Sequence, residues 1–441
     1  MQKVLFFTDR IFWPANDGHK VVLSNYCKGL AERYGCEIHV LSFLETGQSE
    51  DLLRTKPAYI SSVQLAEKPS KTTIAINLSV SLLKGKKGGP IQGALFKSGD
   101  AMRQLRDAVS ELIPDYCFID LPRLASFVEC IDDLPCKKVL YMEDAFSARY
   151  DRQLKCIDIL KKTGGVAGKY SANFSGGMTK LASNRFLQKA VLATESKRMK
   201  LLEQNAPATF DYVVLVSPVE AKKLAEGTFA NNVVAIPLGV DCSYYMSGPH
   251  PVARRNVVSF LGDMRASANA DSLRYIVGEV LPLLDNDVVL EVSGTAPKEL
   301  LEEFVDNDRV KFLGRVEDTR ETLRSSAVFL APIAYGTGIK TKILEAMAIG
   351  MPIVTNSVGN EGIGLVDGED ALISNTAIEL ANDVALLINN VEKSSSLAKA
   401  AQKKAACSFD WKTSLSYFSR LGFVEEKAQE TRAGNGENTT R

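Results

Sequence analysis

Short apolar runs alternate with longer amphipathic stretches along most of the chain. The runs are mainly apolar and many contain β-branched residues; examples are VLFF at 4–7 and VVLEVS at 288–293. This pattern is typical of central parallel strands covered on both faces. The stretches between them place apolar residues on one helical face, as Leu273, Ile276 and Val280 illustrate. Because the alternation occurs in two series, the sequence predicts two doubly wound α/β domains of the Rossmann-like type.

The boundary between the two series falls in a segment that combines Pro, Gly and Arg without periodicity. A Gly- and Ser-rich segment at 161–180 is either a mobile loop near a site or an insertion. The predicted organisation is an N-terminal domain at 1–245, a linker at 246–255, a C-terminal domain at 256–409, a last helix at about 410–422 and a disordered polar tail at 424–441.

Charge and composition narrow the function classes. The chain of 441 residues carries 53 basic and 53 acidic side chains, so it lacks the basic field of nucleic-acid-binding proteins. Its eight cysteines form no C-x2-C pair and it has three histidines, so we expect neither a disulfide framework nor a metal site. An N-terminus that runs straight into a strand, with no long apolar segment, predicts a cytoplasmic protein.

One basic run in the N-terminal half has two possible interpretations. Lys84, Lys86 and Lys87 are either a solvated surface or a contact with an anionic membrane.

Ligands of open parallel sheets bind at the carboxyl ends of the strands, which directs attention to the loops there. After the first strand, Gly18 lies at the predicted start of a helix, where free N–H groups favour an anion. An ordinary capped helix is the alternative. The loop has no G-x-G-x-x-G, which argues against a dinucleotide-dependent dehydrogenase.

The most informative loop follows VFLAP at 328–332. Gly336, Thr337 and Gly338 precede a helix predicted from about residue 339, so backbone N–H groups could face a phosphate. Lys340 and Lys342 add positive charge. The spacing is not that of a P-loop, and a capped helix without a ligand is again the alternative.

Carboxylates near these loops could accept hydrogen bonds from sugar hydroxyls. Glu345 lies one and a half turns into the helix, and Asn360, Glu361 and Gly362 follow the next strand. Glu143, after KVLYM, is either a general base, an acceptor-binding group or part of a helix cap.

Two D-x-D segments are interpreted differently. Residues 285–287 and 306–308 precede their strands, which places them at the amino edge of the sheet as surface turns.

The segment GTGIKTKILEAMAIGMPIVTNSVGNEGI resembles the donor-site signature of glycosyltransferase family 4. VVAIPLGVDCSYY, FLGDMRASANADSLRYIVGEVLP and CSFDW fit the same family in order and spacing. The resemblance implies a GT-B fold and a retaining bacterial enzyme of polysaccharide or lipid-glycan assembly. It also implies that the C-terminal domain holds the nucleotide-sugar, that the N-terminal domain holds the acceptor, and that the last helix crosses back to the N-terminal domain.

The resemblance assigns roles to matching positions. Gly18 would lie beside the donor diphosphate, Glu345 would hold the ribose, and Arg315 and Val316 would lie against the base. Gly338 and Lys340 match the phosphate-facing loop.

The chain also departs from the family pattern. Thr337 stands where the first Glu of Glu-x7-Glu is usual, Arg265 is the only cation near the loop after FLG, and Glu143 replaces a frequent histidine.

The sequence therefore predicts a retaining, metal-independent glycosyltransferase with no cofactor. It would move a sugar from a UDP- or GDP-linked donor to a bacterial surface polysaccharide or lipid-linked acceptor. The expected partners are these two substrates and, through a peripheral contact, the inner membrane; no nucleic acid is expected. Lys340 and Arg265 would stabilise the leaving diphosphate, and Glu143 would orient the acceptor. The alternatives are a nucleotide-sugar epimerase or another GT-B chemistry, and a non-catalytic GT-B subunit.

Overall fold

The computed structural model describes most of the chain, namely residues 1–45, 47–85, 89–159, 185–248 and 251–425. The predictions made for 161–180, for Lys86 and Lys87 and for all but the first two residues of the tail fall outside these ranges. No helix among the described residues is long and apolar enough to cross a membrane.

The first domain is built on a seven-stranded parallel sheet of order β3-β2-β1-β4-β5-β6-β7. Its strands are β1 (Lys3–Thr8), β2 (Glu37–Ser42), β3 (Ser62–Leu65), β4 (Tyr116–Asp120), β5 (Lys137–Glu143), β6 (Tyr212–Leu215) and β7 (Val233–Ala235). Its helices are α1 (Gly18–Tyr34), α2 (Lys71–Leu83), α3 (Gly99–Leu112), α4 (Phe146–Ile159), α5 (Arg185–Thr209), α6 (Pro218–Thr228) and α7 (Cys242–Met246).

The second domain has a six-stranded parallel sheet of order β10-β9-β8-β11-β12-β13. Its strands are β8 (Arg254–Leu261), β9 (Val289–Ser293), β10 (Val310–Gly314), β11 (Ser326–Ala331), β12 (Ile353–Thr355) and β13 (Leu372–Ile373). Its helices are α8 (Ser267–Tyr275), α9 (Lys298–Glu303), α10 (Thr319–Arg324), α11 (Thr341–Ile349), α12 (Ser357–Asn360), α13 (Ala377–Asn389) and α14 (Val391–Ser408).

Both sheets reverse their strand order at one point. The reversal lies between β1 and β4 in the first sheet and between β8 and β11 in the second. A crevice forms where the connections diverge to opposite sides, so we expect a ligand at the carboxyl ends of these four strands. The two D-x-D segments precede β9 and β10 and lie at the opposite ends of the strands.

The chain returns to the first domain at its last helix, α15 (Trp411–Ser416), followed by a 3₁₀ turn (Tyr417–Leu421). A side chain built on Gly29 of α1 would overlap Leu415. Tyr26 packs edge-on against Trp411, with ring centroids 6.2 Å apart. The glycine therefore lets α1 and α15 approach closely.

Three element boundaries differ from the sequence-based expectation. The helix expected near residue 339 begins at Thr341, because Lys340 is still extended at φ −89° and ψ 100°. β8 begins at Arg254, inside the segment predicted as linker. The sequence predicts a helix at about 181–204 after the Gly- and Ser-rich segment, and α5 continues to Thr209.

Candidate functional site

A buried histidine forms the centre of the cleft in the first domain. His19, in the first turn of α1, contacts Asp120 Oδ2 through Nε2 at 3.1 Å and Glu143 Oε1 through Nδ1 at 3.2 Å. Its side chain is 8% exposed. Burial opposes the charged form, yet the two carboxylates raise the pKa of His19 well above its usual range. Each ring nitrogen of His19 thus has a carboxylate partner, a geometry that favours the charged imidazolium.

The carboxylates around His19 come from the ends of three strands. Asp9 follows β1, Asp120 ends β4 and Glu143 ends β5, so the parallel topology brings them to one edge. Burial favours the neutral form of Glu143, but His19 outweighs it and lowers the pKa of this carboxyl. Glu143 also has a positive φ of 68°, a strained backbone state for a non-glycine residue.

Asp9, His19 and Asp120 bring one ligand atom each within 4.8 Å of one another, a spacing that could hold a metal. Arg123 Nη1 donates to Asp9 Oδ2 at 2.9 Å. Arg10 lies on the other side of Asp9. In the structure, Asp9 is thus paired with Arg123, and Asp120 with His19.

The glycine-rich loop after β11 lies against the first domain. The Gly338 N–H, which the sequence predicts to face a phosphate, donates to Glu220 Oε1 of α6 at 3.0 Å. Gly338 has φ +67°, and a Cβ there would lie 3.1 Å from Asp144 Cβ. Arg149 Nε of α4 donates to Thr337 Oγ1 at 3.2 Å. The amide of Gly338 is therefore engaged by a carboxylate across the domain boundary.

An arginine of α4 joins the same loop to the loop after β12. Arg152 Nη1 donates to the carbonyl of Gly336. It also forms a two-pronged ion pair with Glu361, in which Nη2 lies 2.6 Å from Oε1. Burial opposes the charged form of Glu361, but Arg152 lowers its pKa. Glu361, predicted as a sugar-hydroxyl acceptor, is a partner in a contact between domains.

The two predicted lysines lie at the start of α11. Lys340 Nζ donates to the carbonyls of Gly338 at 2.7 Å and Thr337 at 3.0 Å. Burial lowers the pKa of Lys340 to about 8. Lys342 Nζ donates to Asn269 Oδ1 at 2.6 Å, and burial lowers its pKa to about 7. The amino groups of Lys340 and Lys342 are thus both held at the carboxyl edge of the second sheet.

Glu345 and Arg265 lie at the two sides of this edge. Burial raises the pKa of Glu345 to about 7, and its carboxyl shares a hydrogen bond with Tyr245. Arg265 is exposed and pairs with Asp263 at 2.7 Å. The hydrogen bond to Asp263 raises the pKa of Arg265, and Asp17 of the first domain adds to the shift. Arg265 therefore faces the cleft.

The remaining predicted residues occupy separate places. Gly18 approaches Thr341: a Cβ on Gly18 would lie 3.8 Å from the threonine side chain. Gly362, at φ +80°, packs against Ser217 of the first domain. The Asn360 side chain is occupied by the backbone of Leu365, at 2.7 and 2.8 Å. Arg315 and Val316 follow β10, the edge strand, two strands away from β8.

Comparison with known proteins identifies the second domain. Residues 255–390 match the family model described as glycosyl transferases group 1. This part of the C-terminal domain is therefore similar to group 1 glycosyl transferases. The resemblance predicted from the sequence is confirmed by this match.

Two curated relatives match this chain at low identity. An uncharacterised 44.6 kDa protein of the cps region of Klebsiella pneumoniae is 24% identical over 47% of this chain and 55% of its own length. The phosphatidyl-myo-inositol mannosyltransferase of Mycobacterium leprae is 27% identical over 46% of this chain and 56% of its own. The chain thus spans about half the length of the curated relatives it matches.

Solved structures confirm the GT-B architecture. Anabaena Alr3699/HepE in complex with UDP-glucose has a TM-score of 0.63 at 16% identity, with 96% of this chain and all of that chain covered. The sucrose-phosphate synthase of Thermosynechococcus elongatus has a TM-score of 0.65 at 12% identity, with 96% and 98% covered.

Sequence reasoning did not find His19, Glu220, Arg149 or Arg152. His19 directly follows Gly18 at the start of a helix, which was a usable signal. Arg149 and Arg152 are spaced three residues apart on α4, next to Glu143, so a search for cations near that strand end would have found them. Glu220 carried no such signal, because its role depends on a partner 118 residues away.

Proposed function

We propose that the protein is a retaining glycosyltransferase that moves a sugar from a UDP- or GDP-linked donor to a bacterial surface-polysaccharide or lipid-linked acceptor. It would work without a metal at the cytoplasmic face of the membrane. The group 1 domain supports the transferase class, and the UDP-glucose complex of Alr3699/HepE supports a nucleotide-sugar donor.

One geometric observation carries the proposal. The N-termini of α1 and α11 approach each other across the cleft, since Gly18 and Thr341 are the first residues of these helices and a Cβ on Gly18 would lie 3.8 Å from Thr341. Each helix start carries unpaired N–H groups and a partial positive charge. Two such ends directed at one place suit a diphosphate.

The positive groups around this place would act on the leaving diphosphate. Lys340 and Arg265 lie at the same edge, and Lys340 would exchange the carbonyls of Thr337 and Gly338 for phosphate oxygens. Fixed positive charge there stabilises the negative charge that develops as the sugar–phosphate bond breaks. Retention would let the departing phosphate take the acceptor proton. Glu143, ionised beside His19, would orient the acceptor hydroxyl.

Calorimetric titration of UDP, GDP, ADP and CDP, in EDTA and in magnesium, tests the donor site. We expect one nucleotide to bind equally well in both buffers, and Lys340→Ala to weaken it about tenfold, the loss of a charge-assisted hydrogen bond. Lys298→Ala, an exposed lysine paired with Glu302, is the control and should bind as wild type does. Absence of binding by any nucleotide at millimolar concentration would overturn the proposal.

The pH dependence of this binding gives a second check. Because the pKa of Lys340 is lowered to about 8, the side chain loses its charge as pH rises from 7 to 9. We therefore expect nucleotide affinity to fall over that interval. Lys340→Arg keeps its charge and should flatten the profile. A wild-type profile that is flat from pH 7 to 9 contradicts the assigned role of Lys340.

A second candidate, a non-catalytic GT-B subunit, is favoured by one observation. The Gly338 N–H and the Lys340 ammonium are both engaged within the protein. In such a subunit, Lys340→Ala and Glu345→Ala would leave the biological function unchanged.

A further inference from the structure

α2 exposes an apolar stripe to solvent. Ile76, Val80 and Leu83 follow one another at helical spacing on one face, and they are 57%, 42% and 87% exposed. Surface helices of globular proteins normally bury such a face. An apolar stripe that faces solvent marks a surface for an apolar ligand.

The opposite face of α2 carries the half-buried Ile74 and Leu78 and is also held to the domain by hydrogen bonds. Asn77 Nδ2 donates to the carbonyls of Ala94 and Lys97 at 3.2 and 2.7 Å. Arg198 of α5, which is 2% exposed, donates to both oxygens of Ser81 at 2.7 Å. The helix is therefore fixed in this orientation by the face opposite the stripe.

A groove of about 570 Å³ runs beside α2. Its other walls are residues 89–97, residues 122–129 and the end of α5. Lys84, Lys97 and Arg123 line it, and among its described lining residues Glu129 alone is acidic and pairs with Lys97 at 3.3 Å. Val80 belongs both to this lining and to the apolar stripe. A cationic groove thus continues into an apolar helix face.

Arg123 connects the groove with the cleft. It lines the groove and donates to Asp9, the residue after β1. Asp9 in turn belongs to the cluster around His19. A ligand with its head at Arg123 would therefore lie next to the candidate site of transfer.

We infer that this groove binds one anionic amphiphile, with a phosphate or diphosphate head at Lys84, Lys97 and Arg123 and an apolar chain along Ile76, Val80 and Leu83. This molecule is the lipid carrier of the acceptor, and the hydroxyl that receives the sugar belongs to a glycan attached to its head. The inference rests on the proposed transferase function and names the class of its second substrate. Charge complementarity selects the head, and the exposed stripe selects the chain.

The test is calorimetry on the full-length protein with farnesyl diphosphate below its micellar concentration. Pyrophosphate represents the head alone and farnesol the chain alone. We expect saturable binding of farnesyl diphosphate, at least tenfold tighter than either part. Lys84→Ala and the double variant Val80→Asp/Leu83→Asp should each weaken it about tenfold. Lys298→Ala and Ile378→Asp, the latter at a position 65% exposed on α13, are the matched controls and should not.

Other outcomes overturn the inference. Equal affinity for pyrophosphate would show a free-phosphate site. Binding to phosphatidylglycerol vesicles, without saturable binding of farnesyl diphosphate, would show a general membrane surface. Titration of the same samples with the donor nucleotide separates the two proposals: if the nucleotide binds and farnesyl diphosphate does not, only the groove assignment fails. If only farnesyl diphosphate binds, the proposed transfer fails.

Discussion

At the scale of single residues, the ion pairs of His19 make folding depend on pH. Its pKa is raised in the folded protein by Asp120 and Glu143, against the effect of burial. A raised folded pKa gives stability that is complete below the unfolded value of about 6.5 and is lost as pH rises through the folded value. His19 therefore stabilises the fold most in mildly acidic solution.

We predict that His19→Gln lowers the free energy of unfolding by about 3 kcal/mol near pH 6, because it leaves buried carboxylates without their cation. The loss should shrink as pH rises into the alkaline range. Urea unfolding of both proteins between pH 6 and 10 measures it.

His39→Gln is the matched control. Burial lowers the pKa of His39, so its contribution changes with pH in the opposite direction. If the effect of His19→Gln were constant across this range, the imidazolium assignment would be wrong.

The sequence indicates the individual site residues better than their contacts. Asp17, the residue before Gly18, caps α1 by accepting from the Lys20 N–H at 3.1 Å. Each acid around His19 directly follows or ends a strand, and that is visible in the sequence. That they share one imidazolium is not visible, because it depends on which strands are neighbours and on side chains up to 124 residues apart.

At the scale of elements, the contact between α1 and α15 depends on a glycine. A methyl group on Gly29 would overlap Leu415, so α15 would have to move. The resulting overpacking costs about 1–3 kcal/mol.

We predict that Gly29→Ala destabilises the protein and that Leu415→Ala, added to it, restores part of the loss. Thermal unfolding of the single and double variants measures the coupling. Gly278→Ala, where a Cβ would meet nothing within 4 Å, should be neutral or stabilising. Independent, additive effects of the two substitutions would refute the proposed contact.

The sequence predicts a strand correctly where all residues of its apolar run are buried. VLFF predicts β1, and all four of its residues are buried. β3 is not predicted, because its four residues are half-buried or exposed and lack an apolar run. The π-helical turn at Ile276–Val280 continues the apolar face of α8 and has no separate signal.

At the scale of the whole molecule, few polar contacts join the loops of the second domain to the first. Arg152 and Glu361 form the clearest pair, and both side chains are partly exposed, at 32% and 23%. Such a pair can open and reform as the domains move.

We predict that Arg152→Glu and Glu361→Arg each open the cleft and that the double exchange closes it again. Small-angle X-ray scattering should show a larger radius of gyration for each single variant and the wild-type value for the double. We expect a coupling free energy of about 1–3 kcal/mol from a double-mutant cycle. A double variant as open as the singles would show that the pair does not determine closure.

The return of the chain to the first domain has a consequence for its synthesis. Tyr116 of β4 donates to the carbonyl of Leu421 and stacks on Phe423, with centroids 4.3 Å apart. Domains usually fold as they leave the ribosome, the N-terminal one first. Here the second domain, from β8 to α14, can be complete while the first still lacks its final helix. The domain that is synthesised first is thus completed last. A nascent chain that stalls before Trp411 leaves the aromatic surface around Tyr26 exposed, where chaperones can bind it.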